Sequence, residues 1–262
     1  MRAAEPPRPA TPSPLVIRAD DYFLGRWNLE NVTIGLQILK QDVAHNSSDY
    51  EGWWRIAKFD NYLARHAHGA RKMQLLRHAM RAGGKAVALA PNRPEGHFWL
   101  GASEGLYADD SSWLTGIRMV GKIRDEMQAV ERIDPNYEQC SAQRTLARVD
   151  YSAPFFEGGD KDLSVKLLED CLKHYPHDSL SMLYLADAFY ALGRKDQARE
   201  EYENILKLCP DPRYAPEEQA NKNEARAKLQ RRFGIIIMNE SAYREGGPDR
   251  KTNPPVLESE RR

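Results

Sequence analysis

Four helical runs in this sequence end in the same way, and this recurrence constrains the fold more than any other feature. Each run stops at a proline, and the four prolines are Pro91, Pro135, Pro176 and Pro210. Their successive spacings are 44, 41 and 34 residues. A proline cannot continue the hydrogen-bond ladder of a helix, so each one marks the end of a unit. The spacings therefore predict an array of similar helical units.

Small residues at a similar depth support the same array. They are Ala57, Gly101, Ala147 and Ala186, each in the first helix of a predicted unit. A small side chain lets the two helices of a hairpin cross closely, as Ala186 is expected to do. The 34-residue spacing is the tetratricopeptide length, and the longer spacings indicate insertions. Because no unit can bury its apolar face alone, we predict an all-α, tetratricopeptide-like α-solenoid of stacked helical hairpins with insertions and no strands.

The two ends of the chain differ in composition from the repeats. Residues 1–18 are proline-rich, lack the apolar segment of a signal peptide, and predict a disordered tether. Residues 19–233 carry the helical pattern, with a polar capping helix over 214–233. Residues 239–262 combine glycine, proline and mixed charge, which predicts a disordered tail.

Charge and cysteine content exclude several classes of protein. Lys plus Arg and Asp plus Glu both number 38, so we expect no nucleic-acid partner. No apolar run approaches 18 residues, so no membrane span is predicted. The three cysteines, Cys140, Cys171 and Cys209, form no CxxC pair, which predicts neither a zinc site nor a disulfide framework. Cys171 and Cys209 are predicted to be small buried residues near helix ends.

No catalytic grouping is visible in the sequence. Gly83-Gly84-Lys85 resembles the tail of a phosphate loop but lacks its other residues, so it predicts a helix break at an insertion. Asp109 and Asp110 are predicted to cap the helix that follows them. We therefore predict a protein without enzymatic activity and assign it no cofactor and no metal.

The candidate binding residues come from the register of the repeat. The first helix of each unit lines the inner surface of such an array. The predicted aromatic and apolar lining is Trp54, Tyr62, Phe98, Leu106, Tyr151, Leu183 and Tyr190. Arg144 and Arg148 face the same space one helical turn apart. Arginine can hold a carboxylate with two parallel hydrogen bonds, so a small organic acid with an apolar body would suit this lining. The alternative is that both arginines pair with Asp or Glu of a neighbouring helix.

Three longer segments carry a resemblance to a known family. They are NRPEGHFWLGASEGLY at 92–107, ERIDPNYEQCSAQRTLAR at 131–148 and APFFEGGDKDLSVKLLEDCL at 153–172. Together they resemble the TatT-type family of tetratricopeptide proteins, which are associated with tripartite ATP-independent periplasmic (TRAP) transporters. The resemblance implies a periplasmic accessory protein that forms homotrimers. It also implies a partner, the substrate-binding protein of the transporter, and the uptake of organic or apolar ligands.

Two functions follow from these observations. The first is a non-enzymatic accessory component of a TRAP-type transport system that binds small apolar organic acids. The alternative is a protein–protein interaction scaffold, which is the role of most tetratricopeptide arrays. The predicted location is periplasmic, with the cytoplasm as the alternative. The insertions at 65–78 and 108–119 add apolar side chains, such as Leu75 and Trp113, and are the predicted contacts of a homo-oligomer.

Overall fold

The computed structural model of the protein describes residues 11–237. Within this range the chain forms eleven α-helices and one short 3₁₀ helix, Phe155–Glu157, and no strand. The α-helices are α1 Pro14–Leu24, α2 Leu29–His45, α3 Tyr50–Arg65, α4 Gly69–Leu89, α5 Pro94–Asp109, α6 Trp113–Ile133, α7 Ser141–Ser152, α8 Lys161–His174, α9 Ser179–Ala191, α10 Lys195–Lys207 and α11 Ala215–Phe233. The predicted tail at 239–262 and most of the predicted tether lie outside the described residues.

Helices α1 to α10 form five successive hairpins, and α11 closes the array. The second helices of the last four hairpins end at Leu89, Ile133, His174 and Lys207, each two or three residues before a proline. Successive odd-numbered helices from α1 to α11 also contact one another and so form one continuous layer. The predicted α-solenoid is therefore confirmed. None of the helices in the described range is long and apolar enough to span a bilayer.

The small residues predicted at the hairpin crossings are fully buried. Ala57, Ala147 and Ala186 have no exposed surface, and Gly101 is buried as well. The apolar core is divided along the array, and its C-terminal part packs α7 to α11 around residues such as Tyr202. Each hairpin thus completes its core with side chains from the next one, as stacking requires.

The helical region begins earlier than predicted. Pro14 is the first residue of α1, and the Ser13 hydroxyl oxygen accepts a hydrogen bond from the Val16 N–H at 3.1 Å. The same hydroxyl donates to the Asp42 carboxylate at 2.7 Å. Proline suits the first turn of a helix because no N–H donor is needed there. Residues 14–18, predicted to belong to the tether, are therefore helical.

Helix α4 runs unbroken through Gly83 and Gly84, so the predicted helix break is wrong. The sequence shows the two glycines but not what faces them. A Cβ at Gly83 would lie 2.9 Å from the Leu100 Cα of α5. Gly83 therefore allows α4 and α5 to approach each other closely while α4 remains continuous. Its low helix propensity is a cost to α4.

Two predictions about the cysteines are also wrong, namely that they form no disulfide and that Cys209 is buried, whereas Cys171 is buried as predicted. The sulfur atoms of Cys140 and Cys171 lie within bonding distance, and their Cα atoms are 5.8 Å apart. The α7–α8 hairpin brings the start of one helix beside the end of the other, which a spacing rule for CxxC pairs does not detect. Cys209 lies two residues after the end of α10 and is exposed rather than buried.

The two ends of the array contact each other through Arg26, which lies between α1 and α2. Its guanidinium donates to both carboxylate oxygens of Glu217 on α11 at 2.8 Å, and also to the Arg213 carbonyl oxygen. The Arg26 carbonyl accepts a hydrogen bond from the Tyr62 hydroxyl at 3.1 Å. Arg26 is buried although it lies in a loop, and its side chain joins the two ends of the array.

Candidate functional site

A cavity of about 440 Å³ lies between α5, α6, α7 and the first half of α9, and we call it the groove. Its apolar lining includes Phe98, Leu106, Ile117, Val120, Ile123, Leu180 and Tyr184. Its charged lining consists of Arg65, Asp109, Arg144 and Arg148. This volume and this mixture of many apolar and few polar side chains are typical of sites that bind a small ligand or an anchoring side chain.

Small residues leave the space of the groove unfilled. Ala102, Gly105 and Ala108 line it from α5, and Gly116 lines it from α6. A Cβ added at Gly105 would meet no heavy atom within 4 Å. The groove is therefore open at the point where larger side chains on α5 would close it.

The two arginines on α7 are held in different ways. Arg144 forms an ion pair with Asp178, whose side chain also caps the first turn of α9. The nearest carboxylate oxygen to the Arg148 guanidinium is that of Asp187, at 3.9 Å. Arg148 instead lies over two rings, 5.1 Å from the Tyr151 centroid and 5.2 Å from the Tyr184 centroid. Arg148 is thus the cation better placed to receive a carboxylate from a ligand.

Asp187 neutralises Arg148 only in part, because its carboxylate also pairs with two other cations. Its oxygens accept hydrogen bonds from Lys228 at 2.7 Å and from Arg232 at 2.9 Å. The Tyr202 hydroxyl donates to the same carboxylate at 2.6 Å. Three positive side chains therefore share one buried carboxylate where α7, α9 and α11 meet. This local excess of positive charge favours an anionic group at this end of the groove.

Exposed apolar side chains lie next to the groove, around Trp113 and Pro154, which line it. Trp113 and Leu114 begin α6, and Phe155 and Phe156 form the short 3₁₀ helix after α7. Their exposed fractions are 65%, 53%, 91% and 69% in that order. The Trp113 and Phe156 rings meet edge to face, with centroids 6.4 Å apart. We call these four residues the rim, and such a patch is typical of an interaction surface.

The loop that carries the two phenylalanines is held in place by hydrogen bonds from α6. Arg124 on α6 donates hydrogen bonds at 2.7 Å to the carbonyl oxygens of Glu157 and Gly158. It also donates to the Asp150 carboxylate of α7 at 2.8 Å. Gly158 has a φ of +76°, a conformation that glycine adopts without strain. The rim is therefore preformed rather than a free loop.

Four of the nine residues predicted from the repeat register line the groove. They are Phe98, Leu106, Arg144 and Arg148. Arg144 pairs with Asp178, which is the alternative that the sequence left open, while the one carboxylate near Arg148 within residues 11–237 is that of Asp187, at 3.9 Å. These four lie together because α5 and α7 are neighbours in the inner layer.

The other five lie outside the groove. Trp54 donates its ring N–H to Glu51 at 2.9 Å, and Tyr62 is buried in the N-terminal core. Tyr151 lies under Arg148, while Leu183 is buried in the C-terminal core. Tyr190 packs edge to face on Phe233 of α11, with centroids 5.7 Å apart. Side chains such as Tyr190 pack one odd-numbered helix against the next. They therefore belong to the core between the helices, although the repeat register predicted that they line a cavity.

The sequence prediction missed the wall that α6 contributes. Trp113, Ile117 and Val120 recur on one side of that helix, but the segment 108–119, which holds the first two, was predicted to be an oligomer contact. Neither Asp109 nor Asp110 caps α6, whose N-cap residue is Ser112. Asp109 instead lines the groove. Asp110 caps the end of α5 and pairs with Lys72.

Comparison with known proteins identifies the repeat. Residues 156–216 match the tetratricopeptide repeat family. A thermophilic TPR protein of Thermus thermophilus superposes with a TM-score of 0.60 at 18% identity, over 81% of this chain and 96% of that one. The fold is that of a tetratricopeptide array. PilW, a widely conserved type IV pilus biogenesis factor, superposes with a TM-score of 0.55 at 14% identity, over 87% of this chain and 96% of its own.

A third solved structure, that of pilF of Pseudomonas aeruginosa, superposes with a TM-score of 0.53 at 12% identity, over 89% of this chain and the full length of that one. At these identities the likeness concerns the tetratricopeptide fold alone. No curated protein matches the chain. The resemblance to the TatT-type family therefore rests on the three sequence segments and not on these comparisons.

Proposed function

We propose that this tetratricopeptide array is a non-enzymatic interaction scaffold whose groove binds a segment of a partner protein. The observation that carries the proposal is the continuity of the apolar groove with the exposed rim. A ligand confined to the groove would leave the rim uncovered. A polypeptide segment can fill the groove with one side chain and cover the rim with its neighbours.

The charges of the groove define the occupant. Arg65, Arg144 and Arg148 line it against one carboxylate, that of Asp109. We therefore assign the groove to an acidic and apolar segment. Its anchoring Leu, Met or Phe would occupy the space beside Gly105, and an adjacent Asp or Glu would reach Arg148. Charge complementarity of this kind selects the partner and speeds association more than it adds affinity.

Filling the groove tests the proposal directly. Gly105→Leu places a side chain in the open space while improving helix propensity, so the fold should persist. Gly121→Leu is the matched control, because Gly121 is exposed on α6 and also has no heavy atom within 4 Å of its added Cβ. Peptides selected on the wild-type protein from a displayed random library should bear an acidic residue beside a large apolar one. They should lose binding to the Gly105 variant and keep it with the Gly121 variant.

Arg148 tests the charged part of the same site. We expect Arg148→Gln to weaken a selected peptide about tenfold, the effect of losing one hydrogen-bonded charge. Arg118→Gln removes an exposed arginine of α6 and should leave affinity unchanged. Fluorescence anisotropy of the labelled peptide measures both. Selected peptides that lack acidic residues, or that bind the Gly105 variant normally, would refute the scaffold site.

The small organic acid is the second candidate, because the groove has the volume of a small-ligand site. A role beside a TRAP substrate-binding protein, a periplasmic location and a homotrimer belong to this candidate and rest on the sequence resemblance. Calorimetric titration with octanoate distinguishes the two. Saturable octanoate binding that Gly105→Leu abolishes, together with no enriched peptide, would favour the acid.

A second copy of the chain is a further outcome for the rim. Trp113 and Leu114 are exposed, whereas Leu75, predicted to join the same contact, is buried. Light scattering at micromolar concentration would report a trimer as three times the monomer mass. If Trp113→Ser dissociated such a trimer, the rim would belong to the oligomer and not to a partner peptide.

A further inference from the structure

Two buried cysteines meet where three helices converge. Cys140 is the N-cap residue of α7, and Cys171 lies three residues before the end of α8. Their exposed fractions are 3% and 1%, and their sulfur atoms are in direct contact. The Cα separation of 5.8 Å is the commonest value for a disulfide. The backbone is therefore already placed for a covalent bond.

Polar groups of α9 surround the two sulfurs. The Asp178 Oδ2 atom lies 3.8 Å from the Cys140 sulfur and 3.9 Å from the Cys171 sulfur. The Ser181 hydroxyl oxygen lies 3.2 Å from the Cys171 sulfur. Asp178 is also the residue that pairs with Arg144 at the groove. The cysteine pair thus lies directly behind one wall of the groove.

We propose that Cys140 and Cys171 form a reversible thiol–disulfide site that fixes the start of α7 against α8 and α9. A disulfide of low molecular mass, such as oxidised glutathione, is the oxidant. Because both sulfurs are buried, the exchange takes place when the start of α7 opens locally. One protein thiolate then attacks the small disulfide to give a mixed disulfide and release one glutathione. The second thiolate then attacks the protein sulfur and releases the other. The two cysteines lose two protons and two electrons, which leave with the two glutathione thiols.

A metal ion fits this cluster less well. The donors that could surround an ion are the two sulfurs and the Asp178 carboxylate. That carboxylate already accepts hydrogen bonds from the Ser181 hydroxyl at 2.6 Å and from the Leu180 N–H at 3.2 Å, besides its ion pair with Arg144. A structural zinc ion takes four ligands, and it would have to displace the arginine here.

Counting reactive thiols at a defined redox poise tests the site. The full-length protein is equilibrated in glutathione buffers, quenched with acid, denatured and labelled with a maleimide. Intact mass then reports all three cysteines in the reduced form and Cys209 alone in the oxidised form. Cys209→Ser is the matched control and should still lose two labels on oxidation. In Cys140→Ser, oxidation should remove a maleimide label only where glutathione itself is bound to a cysteine. The intact mass identifies any bound glutathione.

Thermal unfolding gives an independent readout on the unmodified sequence. The bond would close a loop of 31 residues, and that constraint corresponds to a melting temperature about 10 °C higher in the oxidised protein. Reductant should remove the gain from wild type and from Cys209→Ser, and should change nothing in Cys171→Ser. Amide exchange in the first turn of α7 should be slower in the oxidised form.

Two results would overturn the proposal. One is three labelled cysteines at every glutathione ratio with an unchanged melting temperature, which would make the pair two free thiols. The other is protection that a chelator removes, with the mass of one zinc ion on the native protein, which would make it a metal site. Neither result depends on peptide binding, so the site can fail while the proposed scaffold function stands.

Discussion

At the scale of single residues, Asp187 links the groove to the end of the array. Its buried carboxylate binds Lys228, Arg232 and Tyr202. Its loss would leave the buried Lys228 ammonium with one carboxylate nearby among the described residues, that of Glu224 at 3.6 Å. We expect Asp187→Ala to lower the free energy of unfolding by about 3–5 kcal/mol, the usual cost of leaving a buried charge unpaired. Urea denaturation measures it.

The control for Asp187 is an ion pair on the surface. Asp170 pairs with Lys173 on the exposed side of α8, and Asp170→Ala should leave the denaturation midpoint unchanged. Equal midpoints for the Asp187 and Asp170 variants would show that the buried cluster does not stabilise the fold.

Glu104 makes stability depend on pH. Burial between α5 and α6 raises the pKa of Glu104 from 4.5 to about 7, and the nearby Glu126 carboxylate adds to the rise. Its Oε2 atom has no hydrogen-bond partner within the described part of the chain. Because the folded state holds this proton more tightly than the unfolded state, stability falls as pH rises between about 4.5 and 7. The shift corresponds to at most about 3 kcal/mol.

Glu104→Gln isolates this effect. The variant should be more stable than wild type at pH 8 and should lose most of the decline between pH 5 and 8 in thermal unfolding. His97 keeps part of the slope, because its hydrogen bond to Glu126 raises the pKa of His97. The stability that His97 contributes is fully present below its unfolded pKa and is lost as pH rises through its folded pKa. Parallel pH profiles for wild type and the variant would contradict the assignment to Glu104.

The repeat register predicts which helix layer a residue belongs to, but it does not predict which residues that side chain contacts. It assigned Arg144 and Arg148 to the inner side of α7, and both line the groove. The carboxylates that meet them, Asp178 and Asp187, belong to α9 in the next hairpin. That pairing depends on how the hairpins stack, which the residue pattern of one helix does not contain.

At the scale of elements, two adjacent glycines of α4 have opposite roles. Gly83→Ala should lower the free energy of unfolding by about 1–3 kcal/mol, because the added Cβ would press on the Leu100 backbone. Gly84→Ala should raise it by about 1 kcal/mol, since no heavy atom lies within 4 Å of its added Cβ and alanine favours the helix. Thermal unfolding of the two variants provides the comparison. Shifts of the same sign would mean that the α4–α5 approach is not tight.

The elements were predictable where a local signal ends a helix. Proline ends the second helices of four hairpins, and the polar segment at 214–233 forms α11, as predicted. The insertion that became α6 was harder to interpret. Trp113, Ile117 and Val120 recur at helical spacing, which indicates an apolar stripe but not the surface it faces. Helix α6 lines the groove because of where it packs in the array, and its apolar stripe alone does not predict this.

At the scale of the whole molecule, the contact between Arg26 and Glu217 joins parts of the chain 191 residues apart. Arg26→Ala and Glu217→Ala should each increase the radius of gyration measured by small-angle scattering. A double-mutant cycle on the free energy of unfolding should give a coupling of about 1 kcal/mol, because Arg26 is buried whereas Glu217 is partly exposed to solvent. The control is Arg213→Ala, because that residue enters the contact only through its carbonyl oxygen. A coupling near zero would mean that the ends meet without holding each other.

An open solenoid behaves like a finite row of units, in which the outermost members have one neighbour and melt first. The ion pair between Arg26 and Glu217 changes this, because it links the first hairpin to α11. Each end of the array then has two neighbours instead of one. Neither end can then detach without breaking a contact to the opposite end. Unfolding should therefore be shared by all the hairpins in a single transition, and amide exchange should show no gradient from the termini towards the middle.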